Sequence, residues 1–365
     1  MSYEYSENEL VQNSAIELLH DTLKWRTFYA YNDEVLGDSS PQDLKNPQSI
    51  GRKSYKEILL TRYLKEAVFK FNDWVTDDVF AQVVKILNTK ISSDSAIQTN
   101  EKNYIFFKEG IEVDVQDENG NYAKRRVQLF DFEHPLENDF LAVQEMKIWG
   151  EVYHRRADIV GFVNGIPLLF VELKRDDIPV ENAYNDNYKD YQDTIPQLFY
   201  YNAFIMFANG PEAKVGTLGS KFKFFHEWKR LSEDDEAGSV AFETMLLGIC
   251  DKKNFMDLFE NFILFDHSNG KVVKILARNH QFLGVNQAFE NYKARKFKNG
   301  KLGVFWHTQG SGKSYSMLFL SQKIHRKLEG SPTIVILTDR TELNKQISGT
   351  FEACGVLGSV KAGKY

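Results

Sequence analysis

The chain has 365 residues, 42% of them hydrophobic, and its 45 basic residues face 51 acidic ones for a net charge of −6. That length exceeds what one hydrophobic core comfortably serves, so two domains are expected, and the acidic balance argues mildly against a protein that simply coats nucleic acid while leaving room for an enzyme that gathers carboxylates around metal ions. With no run of about 18 apolar residues, an acidic and polar amino terminus, and two cysteines (Cys250 and Cys354) far apart and without histidine clusters, no membrane span, signal peptide, disulfide framework or zinc site is expected; the reading is a cytoplasmic protein.

In chain order, residues 8–25 carry helical spacing through Leu10, Ile16, Leu19 and Leu23. A polar loop is expected over 32–51, then helix over 56–87 interrupted at Trp74. Strands are expected over 104–115 and 126–132, bracketing the turn-rich Asp117-Glu118-Asn119-Gly120-Asn121, and another over 140–149. Residues 158–174 read as a hairpin around Asn164-Gly165. Residues 194–201 read as a helix end and 203–208 as a strand, closed by Asn209-Gly210-Pro211. Residues 232–238 form an acidic loop, 254–265 a Phe-rich helical segment, and 267–271 a linker, beyond which helix and strand alternate as in a parallel α/β sheet.

The hairpin carries a chemical signal. If its loop occupies 164–166, residue 163 pairs with 167 and Asp158 falls opposite Glu172, with Cβ atoms about 5 Å apart; a two-residue loop leaves them diagonal neighbours. Lys174 shares the face of Glu172, because strand side chains alternate with period two. Carboxylates so close repel each other unless a cation intervenes, which points to Mg²⁺. Such a metal lowers the pKa of bound water and stabilises charge on a phosphate, and Lys174 would assist electrostatically. An isolated Glu-x-Lys is usually a surface ion pair; here the apolar run Leu168–Val171 precedes it and Asp158 stands at hairpin distance.

A second signal is His307-Thr308-Gln309-Gly310-Ser311-Gly312-Lys313-Ser314, set between a short buried strand expected over 303–306 and a helix expected over 315–328. Glycines at 310 and 312 allow backbone N–H groups to turn toward phosphate oxygens at a helix N-terminus, where Lys313 would reach the β/γ-phosphates of ATP and Ser314 would hold Mg²⁺. The strict phosphate-loop pattern fails only at its first position, which is His307. The bland alternative is a Gly/Ser-rich turn beside a surface lysine.

Together these features resemble the R subunit of type I restriction endonucleases. The resemblance covers most of the chain: Arg155-Arg156-Ala157-Asp158-Ile159-Val160-Gly161-Phe162-Val163-Asn164-Gly165-Ile166-Pro167-Leu168 through Val171-Glu172-Leu173-Lys174 looks like that family's nuclease core, and Gln197-Leu198-Phe199-Tyr200-Tyr201 like the Q-x-x-x-Y element that follows it. Asn209-Gly210 and Val215-Gly216-Thr217 also fit. Arg278-Asn279-His280-Gln281 resembles the element in which a glutamine, here Gln281, reads adenine, and Ile334–Arg340 the strand and loop beyond the phosphate loop.

The resemblance implies an α/β protein: a PD-(D/E)xK restriction-endonuclease-like domain over 1–266, a mixed sheet flanked by helices, then over 267–365 the first part of a RecA-like parallel α/β lobe of a helicase-like motor. It implies Asp158 and Glu172 as metal ligands, Lys174 as electrostatic catalyst, and Gln197 and Tyr201 as DNA contacts on one helical face. Gln281 and Thr308 to Ser314 would hold ATP. The implied partners are double-stranded DNA and the methylation and specificity subunits. Ala157 stands where the family often has proline. A first-helix acid often completes the metal site; Glu7, Glu9 and Glu17 are candidates, while Gln12 occupies a position where glutamate is expected. Later motor motifs are missing, so the chain is expected to be a fragment that neither hydrolyses ATP nor translocates by itself. The rival readings are a helicase-like protein with a non-nuclease N-terminal domain, and a non-catalytic piece that docks on subunits or DNA.

Overall fold

The structure, a computed structural model, describes residues 7–31, 33–37, 46–90, 94–116, 120–236, 238, 240–268 and 270–355, with the side chains of residues 7–10 outside that description. Helix α1 (Glu7–Glu17) runs into a π-helical turn, Leu18–Thr22, and delivers the chain to β1 (Arg26–Tyr29). The expected break at Trp74 separates α2 (Thr61–Phe71) from α3 (Asp77–Asn88). Thr76 caps α3, and Val79, Val83 and Leu87, four residues apart, form its buried stripe.

The strand expected over 104–115 is half helix. Ser95 and Gln98 form a reciprocal capping box that starts α4 (Ala96–Glu109), and Gly110, at φ 82°, ends it where a Cβ would meet the Val127 carbonyl at 3.0 Å. Only then do β2 (Ile111–Gln116) and β3 (Tyr122–Val127) pair as an antiparallel hairpin. The expected hairpin loop is thus in place, although residues 117–119 lie outside the described residues, and 128–132 is not strand.

The centre of the protein is a six-stranded mixed sheet: β4 (Phe140–Trp149), β5 (His154–Val163), β6 (Ile166–Leu173), β7 (Phe204–Ala208) and β8 (Ala213–Gly216), with β1 parallel on the outer edge of β4. β4, β5 and β6 are antiparallel neighbours, and β6 and β7 run parallel. The parallel step needs a crossover. It is supplied by α5 (Val180–Asn182), a π-helical segment Ala183–Tyr188, α6 (Lys189–Thr194) and a 3₁₀ turn, Pro196–Phe199. Aromatic rings seal both faces: Phe170 packs on Tyr188, Tyr191 and Phe199 under the crossover, while Trp25, Phe140, Phe204 and Phe255 interlock elsewhere, with the Trp25 indole donating to the Cys250 carbonyl.

Helices α7 (Ala241–Cys250) and α8 (Lys252–Asn261) follow. The expected linker at 267–271 is instead the turn of a hairpin between β9 (Ile263–Asp266) and β10 (Val273–Leu276), residue 269 lying outside the described residues. Lys274, fully buried, donates to Asn100 Oδ1 at 2.8 Å and to the Asn202 carbonyl at 2.6 Å, tying this hairpin to α4 and the sheet. The expected helices follow as α9 (Asn279–Lys293), α10 (Lys313–Lys327) and α11 (Thr341–Cys354). The expected strands at 303–306 and 334–337 do not form: Val304 is 93% exposed and Leu337 86%. A strand needs a neighbouring ladder, and none pairs with these runs among the described residues. No helix among the described residues is long and apolar enough to cross a membrane.

One buried ion pair holds the segments around β4. The Arg52 guanidinium meets both carboxylate oxygens of Glu34, at 2.7 and 2.5 Å, and also donates to the Lys147 carbonyl at 3.1 Å, with both side chains essentially inaccessible. Removing one partner of such a pair strands a charge. Arg52→Met is therefore expected to lower the unfolding free energy by about 3–5 kcal/mol, and Glu34→Met/Arg52→Met to recover most of that loss; urea melts of the three proteins check both statements.

Candidate active site

The β5–β6 hairpin turns through Asn164-Gly165, both at positive φ (52° and 76°), a two-residue type I′ geometry. A Cβ on Gly165 would lie 2.3 Å from the Leu60 carbonyl, so glycine is required there by space as well as by φ. The turn pairs Val163 with Ile166, one residue tighter than the register expected from sequence. A β-bulge between Gly161 and Phe162 then shifts the ladder back, so that Ile159 pairs with Val171. Continued by one residue, this register sets Asp158 opposite Glu172.

The same face of the sheet repeats the pattern. In β4, Lys147 pairs with Arg156 and Trp149 with His154, and Glu145 lies between the pairs Gln144–Ile159 and Met146–Ala157, level with Asp158. Three strands thus present a row of carboxylates (Glu145, Asp158, Glu172), a row of cations (Lys147, Arg156, Lys174) and an aromatic pair (Trp149, His154). An open cleft of about 570 Å³ lies over this face, lined by Lys147, His154, Arg156, Asp158, Glu172 and Lys174 among others.

Electrostatics at the first row are strained. Burial raises the Asp158 carboxyl from its ordinary 3.8 to about 6 even though the Leu173 N–H donates to its Oδ2 at 2.7 Å; Glu145 adds repulsion, while Lys174 and Arg156 oppose the shift. Glu172, 2% exposed, is raised well above its usual range by burial and then by Asp158. Its Oε2 is buried with no hydrogen-bond partner. A buried, unpartnered carboxylate oxygen beside a second carboxylate is a hard-oxygen donor set short of a cation, which suits Mg²⁺. No group of three or more His, Cys, Asp or Glu side chains converges as a metal cage among the described residues. Mg²⁺ sites in general use one or two carboxylates and fill the rest of the octahedron with water and phosphate oxygens.

Glu145 is the residue that pattern reading missed. It stands inside a strand at φ 57°, a left-handed conformation that is costly for glutamate, and is held there by Gln12 Nε2 at 3.0 Å and by Arg156 at 2.5 Å. Gln12 also donates to the Asp158 carbonyl at 2.9 Å. The first helix therefore reaches the site through Gln12. Glu17 borders a different groove beside Phe242, and the side chains of Glu7 and Glu9 lie outside the described residues.

Gln197 and Tyr201 do not share a helical face. The 3₁₀ turn stops at Phe199, and Tyr201, 5% exposed, packs against Phe107 with its hydroxyl donating to the Leu87 carbonyl. Gln197 donates to the Trp149 carbonyl at 3.0 Å, at the rim. The pair that reaches the cleft with a spacing of four is Asn187 and Tyr191: Asn187 Oδ1 accepts from Lys174 Nζ, and the Tyr191 hydroxyl donates to the Arg156 carbonyl at 2.8 Å.

At the phosphate loop, Gly310 and Gly312 take positive φ (79° and 86°) and α10 begins at Lys313, as the motif requires. Lys313 Nζ folds back onto the carbonyls of His307 and Thr308, at 2.8 and 3.0 Å. Thr308, Gln309 and Gly310 are exposed, and Ser311 and Ser314 are half-buried. Gln281 lies against the loop, but both ends of its amide are engaged, with the Gly312 carbonyl at 2.9 Å and the Arg278 N–H at 2.8 Å. Adenine recognition by Gln281 would require breaking these bonds.

Residues 4–224 match the family model described as type I restriction enzyme R protein N terminus, and residues 280–364 match that of the SWI2/SNF2 ATPase. The chain belongs to the type I restriction enzyme R protein family. It is 34% identical to the type I restriction enzyme HindI endonuclease subunit of Haemophilus influenzae, over 81% of this chain and 29% of that protein. It is 28% identical to the putative type I restriction enzyme MjaIXP endonuclease subunit of Methanocaldococcus jannaschii, over 91% and 35%. The chain thus spans about a third of the length of these relatives.

The raised carboxyl pKa values have a consequence for stability. A group whose folded pKa exceeds its unfolded value stabilises the fold below the unfolded value and loses that contribution as pH rises through the folded one. For Asp158 that window runs from 3.8 to about 6. In metal-free buffer Asp158→Asn or Glu172→Gln should therefore raise stability at neutral pH by roughly 1–3 kcal/mol, the gain fading toward pH 4. Buried His226, lowered from 6.5 to about 4, loses stability in the opposite sense as pH falls, and cancels when variant and wild type are compared. Thermal melts in chelator from pH 4 to neutrality check the difference.

Proposed function

We propose that this chain is the nuclease-bearing part of a type I restriction R subunit, a PD-(D/E)xK core that hydrolyses phosphodiesters of double-stranded DNA with Mg²⁺. In the complete enzyme it would work with an ATP-driven RecA-like motor and with methylation and specificity subunits. One observation carries the reading: two carboxylates, one with an unpartnered buried oxygen, face a common cleft beside an amide-steadied lysine. Asp158 and Glu172 would hold Mg²⁺. When bound, the metal supplies charge that polarises a phosphoryl oxygen and eases deprotonation of water.

The chain's own residues do the rest. Asn187 restrains Lys174 Nζ, so the ammonium stands ready beside the carboxylates to offset negative charge that grows on the phosphoryl group. Lys147 and Arg156 draw the DNA backbone to the cleft, Arg156 being shared with Glu145 in the free protein. The Leu173 N–H fixes Asp158 Oδ2 and so its rotamer. At the second site, backbone N–H groups of Gln309 to Lys313 would cradle the phosphates of ATP, with Lys313 leaving its carbonyl partners to meet them and Ser314 beside Mg²⁺.

In the assembled enzyme with ATP and Mg²⁺, Asp158→Asn and Lys174→Ala should each lower DNA cleavage by about a hundredfold or more while leaving ATP turnover intact. Unchanged cleavage would remove the assignment and favour a helicase-like protein with its nuclease elsewhere. Lys313→Ala should show the complementary result, weakened binding of a fluorescent ATP analogue to a chain whose melting is unchanged.

A further inference from the structure

The proposed reaction leaves the third row of the sheet face unused. Trp149 and His154 are cross-strand partners one step beyond the cations, with ring centroids 4.5 Å apart and planes inclined by 34°. Tyr55 backs the indole at 5.2 Å, and its carbonyl accepts the Trp149 backbone N–H at 3.0 Å. Trp149 is 39% exposed, and His154 is exposed and lines the cleft. The arrangement is a three-ring cluster, with Tyr55 inclined to Trp149 by 55° and Trp149 to His154 by 34°, whose last ring faces the cleft.

The ring cluster is held in place from several sides. A Cβ on Gly150 would lie 2.0 Å from the Thr194 carbonyl, so the hairpin presses directly on the end of α6. Gln197 holds the Trp149 carbonyl, and Arg52 extends over the Tyr55 ring at 5.4 Å. A strand advances about 3.3 Å per residue, so each row lies roughly 6.6 Å beyond the last. Carboxylates, cations and rings therefore follow one another at the scale of successive groups along a nucleic-acid strand. A flat aromatic ring past a row of cations can take a base face to face, but a base inside a duplex has no free face to offer.

We infer that His154, backed by Trp149 and Tyr55, is a stacking platform for an unpaired nucleotide next to the scissile phosphate, so that the cleft engages double-stranded DNA where it is locally opened and holds the unpaired strand on the ring. The inference rests on the phosphodiesterase reading of the carboxylates for its position along the DNA, and on the ring geometry for its chemistry. Lys147 and Arg156 contact the intervening phosphate, and the base follows onto the ring.

The test is binding, in chelator so that nothing is cut, of a short fluorescein-labelled single-stranded DNA and of the same sequence as a blunt duplex. His154→Ala should weaken single-strand binding about tenfold and duplex binding by less than about twofold, and His154→Phe should restore the single-strand affinity. Equal losses on both DNAs, no loss on either, or a phenylalanine variant as weak as the alanine one would overturn the platform, the last by assigning His154 an imidazole-specific role. Cleavage by Asp158→Asn is measured separately. If that variant still cuts while the His154 pattern holds, the nuclease assignment fails and the platform stands.

Discussion

Everything around the cleft follows from placing like charges where water cannot screen them. Asp158 and Glu172 lie where the apolar part of the β5–β6 hairpin ends, and Glu145 joins them from the next strand. Such a cluster persists only if the surrounding structure over-determines it. The crossover supplies Asn187 for Lys174 and Tyr191 for the β5 backbone at Arg156, the first helix supplies Gln12 for Glu145, and Arg156 completes the circuit. The compensation is incomplete, since Glu172 Oε2 has no partner. A fold selected only for stability would have replaced that oxygen with a methyl group.

Sequence alone revealed the hairpin and its carboxylate pair, and did so by two deviations that cancel. The tight Asn164-Gly165 turn removes one residue from the expected loop, and the bulge at Gly161 adds one back, so Asp158 and Glu172 still meet. A bulge leaves no periodic trace. Glu145 was invisible for a related reason: a glutamate in the polar stretch Gln144-Glu145 of a strand reads as a solvated position, and only the left-handed backbone and the approach of Gln12 mark it as interior. The signal was partly present, because Gln12 stood out as a glutamine where an acid was expected. Acid and amide stand on the two partners in an order that pattern reading did not anticipate.

The expected helical face shared by Gln197 and Tyr201 does not form, because a spacing of four implies one face only where the helix is continuous. Gln197 to Tyr201 leaves the 3₁₀ turn before Tyr201, whereas Asn187 to Tyr191 spans the junction of π and α segments in a continuous helix. The linker was misread for the opposite reason. His267 to Lys271 has the composition of a free connection, but the strands on either side pair with each other, and no local property of a turn says whether its flanks are joined. The runs at 303–306 and 334–337 carry strand character without strand structure, which is what β-propensity means when no ladder is offered.

The same logic of buried charge ties α10 to the elements around the six-stranded sheet. Glu260 of α8, 3% exposed, is met by Arg326 and Lys327 of α10 at 3.1 and 2.8 Å, and Asp257 one turn earlier by Lys323 at 2.7 Å. Arg326 also reaches Glu109 at the end of α4 at 2.8 Å, and Lys327 reaches Glu133. Nearby Lys108 is pushed down to about 7 by burial and then by Arg326. These cations occupy the last turns of α10, where the helix dipole favours them, while Lys313 and the glycines stand at the first turn, where it favours phosphate. One helix thus has its C-terminal end committed to the body that carries the six-stranded sheet, while Lys313 and the glycine loop at its N-terminal end stay exposed or half-buried. Breaking a buried, multiply paired carboxylate costs far more than reorienting Lys313, so a bound nucleotide would reshape the loop around a fixed α10 before it could pull that helix off the sheet domain.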